Sequence, residues 1–258
     1  MQVAVITVGD ELLAGETENA NATWLAGELT ERGATVARSL TVPDERETIA
    51  RYVREWSDAF DAVLVTGGLG GTPDDVTMEA VADAFDREMV VQADVRETVV
   101  EKGRRFREEN PDLAEEYDFD PDYDATASLP DGARPLVTAE SFAPGAVVEN
   151  VYVFPGFPEE LRVMFGAVAD EFGGETVSET LYTPSPEGAL TGTLAEAEER
   201  FDPAIASYPT KGDSPARVKV TGEDAAAVEE AVAWLREHIE VTDATDGPDP
   251  GDPSSRTG

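Results

Sequence analysis

The feature that most restricts the fold is an alternation, through the first third of the chain, of short apolar runs with segments of helical periodicity. Val3 to Val8 is an apolar run of the kind that forms a strand buried on both faces. Asn21 is placed to cap a helix through Arg32, with Leu25 and Leu29 on one face and Gly33 at its end. Thr35 to Val42 reads as a second strand, broken by Pro43. Asp44 then begins a helix carrying Ile49, Val53 and Trp56 at helical spacing. Ala62 to Thr66 is a third buried strand, followed by a glycine cluster and a helix near Val76 to Phe85. Strands and helices alternating over connections this short predict a parallel, doubly wound α/β sheet.

Residues 94–110 read as a charged helix stopped by Pro111, and Asp112 to Asp131 as an acidic, irregular excursion. Leu136 to Thr138, Ala146 to Val148 and Val151 to Phe154 look like strands. A helix from Glu159 to Glu171 follows the Pro155-Gly156-Phe157-Pro158 turn. Gly173-Gly174 is a plausible joint, ending a first domain at about residue 172. Beyond it, strand (Val177 to Tyr182), helix (Leu190 to Arg200), two strands (Ile205 to Tyr208, Ala216 to Thr221) and helix (Ala225 to His238) make a small α+β domain over 177–241. Residues 242–258, rich in Pro, Gly, Asp, Ser and Thr, are expected to be a disordered acidic tail.

With 41% hydrophobic residues, the chain can bury a substantial core. Its charge is lopsided: 55 acidic against 19 basic residues, formally −36, with lysine only at 102, 211 and 219. Phosphate backbones and anionic lipid are held through Lys and Arg, so nucleic acid and membrane surfaces are disfavoured partners. Acidity spread along the whole chain is a halophilic composition, in which concentrated cations screen repulsion over about 3 Å at 1 M salt. The charge is therefore read as habitat rather than partner. The absence of cysteine excludes disulfides, thiolate metal sites and cysteine nucleophiles. An N-terminus that enters a strand directly, and the lack of any apolar run near the roughly 18 residues of a span, predict a cytoplasmic protein.

Ligands of parallel α/β sheets bind where the strands end, and here each strand ends in glycine and carboxylate. The first runs into Gly9-Asp10-Glu11, the second into Pro43-Asp44, the third into TGGLGGTPDD (Thr66 to Asp75), and a later one into Pro155-Gly156. Five of the ten residues of TGGLGGTPDD are glycine or proline, so Gly67, Gly68 and Gly70 let backbone approach a ligand. The following helix offers amides to an anion. Neither a Walker A nor a GxGxxG pattern is present, and a plain glycine turn with an Asp cap is an equal reading of the loop taken alone. Asp74 and Asp75 could hold Mg²⁺ against a substrate phosphate, or merely cap the helix. Asp10 and Glu11 follow a buried strand and should face a polar pocket. Asn21 has a capping reading, and Asn19 and Asn21 a ligand-amide one. With one histidine, His238, placed near a helix end, zinc and Ser-His-Asp chemistry have almost no support. Trp24, Trp56 and Trp234 read as core, and Arg104, Arg105 and Arg107 as a solvated helix face.

The segments VGDELLAGETENANATWLAGEL, TGGLGGTPDDVTMEA and FAPGAVVENVYVFPGFPEEL, in that order, resemble the molybdopterin-binding (MoaB/MogA-like) family, and most nearly the N-terminal domain of CinA-like proteins. The resemblance covers about residues 1–170. It implies a three-layer αβα MogA-like domain with a mostly parallel sheet, followed by a small KH-type-like α+β domain. It also implies a pterin- or nucleotide-binding pocket in a self-associating protein, a homo-oligomer of two or three copies. The family's motifs fall on Gly9, Asp10 and Glu11; on Asn19 and Asn21; on Thr66, Gly67, Gly68, Gly70, Thr72, Asp74 and Asp75; and on Ala143, Pro144, Gly145, Pro155, Gly156 and Pro158. Gly71 stands where a proline is frequent, loosening the loop. The amidase domain of full-length CinA is not expected here, nor its deamidation reaction. Without a GxxG loop in the second domain, RNA binding is not expected either.

Three functions follow from the resemblance. The first is metal-dependent hydrolysis of a nucleotide diphosphate such as ADP-ribose, with Mg²⁺ (or Co²⁺) on Asp74 and Asp75, assisted by K⁺, and with Asp10 and Glu11 as further catalytic carboxylates. The second is molybdopterin binding or adenylylation in molybdenum cofactor synthesis. The third is a ligand-binding module without chemistry.

Overall fold

The computed structural model describes residues 1–116, 121–209 and 215–242. The chain divides into two compact units: residues 1–29 with 35–172, and residues 30–34 with the chain from Gly173 onward.

In chain order the first unit contains β1 (Gln2–Val8), α1 (Asp10–Leu13), α2 (Ala20–Glu31), β2 (Thr35–Val42), α3 (Arg46–Ala59), β3 (Ala62–Thr66) and α4 (Thr77–Ala84). There follow β4 (Met89–Val91), α5 (Ala93–Glu109), α6 (Pro111–Glu116), α7 (Tyr123–Thr126), β5 (Ser128–Pro130), β6 (Arg134–Leu136), β7 (Gly145–Val148), β8 (Val151–Phe154) and α8 (Pro158–Gly166). Its main sheet has the order β2-β1-β3-β8-β7-β6. The first four strands are parallel, β7 runs antiparallel to β8, and β6 runs antiparallel to β7, back in the direction of the first four.

β1 and β3 are the apolar runs of the sequence, and Val3 through Ile6 and Val63 through Val65 are fully buried. Ile6, Val8, Val63 and Val65 pack on Ile49 and Val53 of α3, Ala80 and Val81 of α4, and Val95 and Val99 of α5. On the opposite face Phe154 of β8 meets Phe165 of α8 (6.2 Å between ring centroids), and Phe165 meets Trp24 of α2 edge-on at 5.4 Å. Helices therefore cover both faces of a mostly parallel sheet, the three-layer αβα arrangement that the resemblance implies. Burial on both faces explains why these strands read as continuous rather than alternating apolar runs.

Several boundaries differ from expectation, each for a local reason. α2 starts at Ala20 and its cap is Asn19, whose Oδ1 accepts from Ala22 N at 3.1 Å, so Asn21 lies inside the first turn. α3 starts at Arg46, not Asp44, because Glu45 N bonds to Pro43 O at 2.8 Å and turns Asp44 back toward β1. Pro111 stops α5 and also opens α6, since a proline at the first helical position lacks only an N–H the helix does not use. The stretch 112–131 is more ordered than expected: α7 is capped by Asp122, and β5 pairs with β4. Residues 117–120 of that stretch lie outside the described residues. β6 ends at Leu136, paired with Gly145, and Val137 is exposed, because β7 offers no partner beyond its first residue. The helix expected to Glu171 stops at Gly166, and a 3-10 turn spans Ala169–Glu171.

The second unit is β9 (Val177–Thr183), α9 (Glu187–Arg200), β10 (Ala204–Tyr208), β11 (Ala216–Gly222) and α10 (Ala225–His238), with an antiparallel sheet ordered β10-β11-β9. Leu181, Val218 and Val220 from the sheet pack against Leu190 of α9 and Val228 and Leu235 of α10. His238 stacks on Trp234 at 3.9 Å between centroids and places Nδ1 2.7 Å from the Trp234 carbonyl, a structural role. Of the expected tail, residues 243–258 lie outside the described residues. Among the described residues no helix is long and apolar enough to cross a membrane.

Candidate functional site

The carboxyl ends of β1, β2, β3 and β8 open onto a cavity of about 920 Å³. Two asparagines hold those ends together. Asn19 Nδ2 donates to Thr7 Oγ1 at 2.8 Å and Thr41 Oγ1 at 3.2 Å, joining β1 to β2. Asn21 Nδ2 donates to Thr66 Oγ1 at 3.1 Å and Gly156 O at 2.7 Å, while Thr66 Oγ1 donates to Pro155 O at 2.7 Å, joining β3 to β8. Both amide nitrogens are thus bonded within the scaffold at the cavity floor. Asn21 Oδ1 is buried without a partner. Thr7 is fully buried in this network and was not singled out from sequence. The available signal was a threonine near the end of each of the first three strands: Thr7, Thr41 and Thr66.

The glycine loop crosses this floor. Gly67 adopts φ +106° and donates its N–H to Phe154 O at 3.2 Å, while Gly68 adopts φ +65° and accepts from Thr77 N at 3.2 Å. A Cβ on Gly67 would lie 2.2 Å from Val8 O, and one on Gly68 2.3 Å from Thr77 Oγ1. These close approaches account for glycine at both positions. Beyond them, the N–H groups of Gly68, Leu69, Gly70 and Gly71 donate to no protein acceptor among the described residues. The loop closes on itself through Asp75 Oδ2, which accepts from Thr72 N at 2.9 Å and Thr72 Oγ1 at 2.6 Å.

Of the residues singled out from sequence, Gly9, Glu11, Asn19, Asn21, Asp44, Thr66, Gly67, Gly68, Gly70, Thr72, Asp74, Asp75, Pro144, Pro155 and Gly156 all line the cavity. Asp10 and Gly145 do not. Asp10 opens α1 with an exposed side chain and gives its N–H to Asp44 Oδ2 at 2.9 Å. Gly145 is buried in β7, where a Cβ would strike Val153 O at 2.3 Å and Met164 Sδ at 2.4 Å, a packing requirement. The arginine cluster lies outside the cavity: Arg104 pairs with Glu101 and Glu108, and Arg107 donates to Tyr123 Oη. Residues supplied from unexpected places include Asp122, Ser128 and Leu129, from the excursion read as irregular, and Phe157 and Glu160 at the start of α8.

The lining holds eight carboxylates and no lysine or arginine. Asp44 shows the electrostatic consequence. Burial raises its pKa above the ordinary carboxylate value, the Asp10 N–H opposes this, and the neighbouring charges of Asp10, Glu11 and Asp74 push it further up. A carboxyl with a raised folded-state pKa binds its proton more tightly folded than unfolded, so stability falls as pH rises from the ordinary carboxylate pKa through the raised one. Asp44→Asn keeps an acceptor for Asp10 N–H and removes the charge. It is expected to raise Tm at pH 7, with a gain that fades as pH falls through the raised pKa and is absent below about 4. Thermal melts of both proteins across that range read the difference, and equal Tm values at pH 7 would contradict this account of the cavity.

Residues 4–172 match the family described as "probable molybdopterin binding domain", and residues 175–246 match "FAD synthase, middle domain". The second match gives the smaller α+β unit a family of its own. A protein of Pyrococcus abyssi is 34% identical over 246 residues, covering 92% of this chain and 96% of its own length. A CinA-like protein of Citrifermentans bemidjiense is 33% identical over 251 residues, covering 93% of this chain but 58% of its own length. The chain therefore spans little more than half of that CinA-like relative. A solved structure of CinA from Thermoplasma acidophilum, described as of unknown function, superposes with a TM-score of 0.55 at 28% identity, over 67% of this chain and 99% of that one. With the three-layer fold and the glycine-loop cavity, these matches place the chain in the molybdopterin-binding domain family, as a CinA-type, MoaB/MogA-like domain followed by a FAD synthase middle domain.

Proposed function

We propose that the chain hydrolyses the diphosphate bond of a nucleotide diphosphate such as ADP-ribose, in a cation-dependent reaction. The observation that carries this reading is the run of four loop amides, Gly68 to Gly71, without protein acceptors in a cavity that no lysine or arginine lines. Amides so placed suit phosphate oxygens. The surrounding carboxylates would repel the same oxygens unless a cation came with them.

The donor set fits a hard cation of the Mg²⁺ or Co²⁺ class. All the candidate ligands are oxygens, and Mg²⁺ commonly takes one or two carboxylates and completes its shell with water and substrate phosphate. Among the described residues no three carboxylates or histidines converge on one point, so substrate oxygens would have to contribute. Asp74, exposed on the loop, and Asp75, through the oxygen not bonded to Thr72, are the residues assigned to hold it. Once bound, the cation would offset diphosphate charge and polarise the phosphorus under attack. The protein's own part is to hold the diphosphate on the loop amides and to accept the proton of the attacking water at Glu11 or Asp44. Water adds to one phosphorus, the P–O–P bond breaks, and ADP-ribose yields AMP and ribose 5-phosphate. Asp10, outside the cavity lining, is left with a positioning role through its N–H on Asp44. The FAD synthase likeness of the second unit suits this reading, since FAD, like ADP-ribose, is an adenylate diphosphate ester.

The match to a molybdopterin binding domain supports a second reading, adenylylation or binding of the pterin phosphate on the same cradle. A hydrolysis screen separates the two. Purified protein in multimolar KCl, which supplies K⁺, is offered ADP-ribose, FAD, NAD or ATP with Mg²⁺, Co²⁺ or EDTA. Release of AMP that EDTA abolishes is the expected result. No turnover in folded protein, together with adenylylation of molybdopterin by ATP, would overturn hydrolysis in favour of the second reading. The dimer or trimer implied by the resemblance is read by sedimentation equilibrium in the same buffer.

A further inference from the structure

Phe157 is the most exposed large apolar side chain among the described residues, 72% open to solvent, and it stands at the cavity lining. It is the cap residue of α8, and Glu160 follows three positions later in the first turn, a spacing that brings side chains toward one another. Glutamate at that position ordinarily faces the helix amides, but Glu160 is held elsewhere. Its Oε2 lies 2.9 Å from Ser141 Oγ, whose one proton it shares with Ala143 O at 2.7 Å, and Ser141 is 1% exposed, with its carbonyl accepting from Lys102 Nζ at 2.5 Å. Glu160 Oε1 takes no hydrogen bond among the described residues, and Lys102, whose charge acts on this carboxylate, stands outside the cavity lining. Both side chains line the cavity, one an uncovered aromatic ring and the other a charged acceptor held on its far side by Ser141.

We infer that Phe157 and Glu160 form the subsite for the ligand's heteroaromatic ring, Phe157 stacking on its face and Glu160 accepting a hydrogen bond from an amino or ring N–H group at its edge. Stacking suits any flat heterocycle, whereas a carboxylate suits only an edge that donates. The class of ligand is thus an amino-bearing heterocycle, which adenine and pterin both satisfy. The inference deepens the proposed function and rests on it for the rest of the ligand, the phosphates on the glycine loop.

The test measures equilibrium binding of adenosine, neopterin and ribose to the full chain in multimolar KCl, without metal or phosphate. Adenosine or neopterin is expected to bind at least about tenfold more tightly than ribose, and which of the two does so names the ring. Phe157→Ala should weaken that binding about tenfold. Phe157→Tyr should restore it, and Glu160→Gln, which keeps the shape and loses the charge, should weaken it several-fold. Ring and ribose binding alike, or variants that bind as the parent does with Tm unchanged, would overturn the inference. So would a Phe157→Ala variant that loses self-association in sedimentation while keeping its affinity, because the ring would then be covered by a second copy. Cation-dependent hydrolysis with unaltered ring binding in the variants removes this subsite alone. Variant-sensitive ring binding without hydrolysis removes the hydrolytic reading alone.

Discussion

In the double variant Asp74→Asn/Asp75→Asn, cation-dependent release of AMP is expected to fall by at least about a hundredfold, the scale on which a transition-state charge interaction is lost. Thermal stability should change little. Asp74 is exposed, and an Asn at position 75 retains one oxygen for the Thr72 amide that closes the loop at 2.9 Å. The fall should appear in kcat and persist at saturating substrate, since the loop amides proposed to cradle the phosphates are untouched. Adding tenfold more Mg²⁺ should restore part of it if the carboxylates act by holding the cation. Turnover within about threefold of the parent at equal Tm would remove both residues from the reaction. The catalytic assignment would then pass to Glu11 and Asp44.

The largest loss of stability is expected from Gly67→Ala. The residue sits at φ +106°, and its Cβ would lie 2.2 Å from the Val8 carbonyl oxygen, a main-chain atom that no rotamer change can move aside. The backbone strain and the steric displacement each cost on the order of 1–3 kcal/mol, and together should lower Tm by roughly 10 °C. The displaced carbonyl belongs to the end of β1. The next residue's amide bonds Val42 O at 3.1 Å, so the damage should spread into the cavity floor. Gly71→Ala is the matched control. It lies in the same loop with nothing within 4 Å of a Cβ and no positive φ, so its Tm should stay within a degree or two of the parent or rise slightly. Equal melting of the two variants would show that the close approach of β3's end to β1 does not constrain the loop.

The first three strands, the helices packed on them and the division near residue 172 could be read from the amino acids, because burial on both faces writes itself as uninterrupted apolar runs. The clustering of glycine and carboxylate at strand ends was equally readable. Parallel strands deliver all their carboxyl ends to one edge, whatever their order. The three-residue strands β4 and β5 were not readable, since so short a segment carries no periodicity and forms only by pairing with its partner. Nor were the roles of the asparagines. Asn19 and Asn21 are two residues apart in sequence, and only the sheet order places one against Thr7 and Thr41 and the other against Thr66 and Gly156.

Local sequence, then, determined which segments are strands, where they stop and what chemistry stands at their ends, because those properties depend on neighbours along the chain. Tertiary structure alone decided that Gly145 packs rather than binds. It decided too that Asp10 turns away while Asp44 turns in, and that Phe157 and Glu160 reach the cavity from over eighty residues beyond the glycine loop. Those outcomes depend on which groups the folded sheet brings within a few ångströms of each other, and contacts between residues so far apart leave no mark on local composition or spacing.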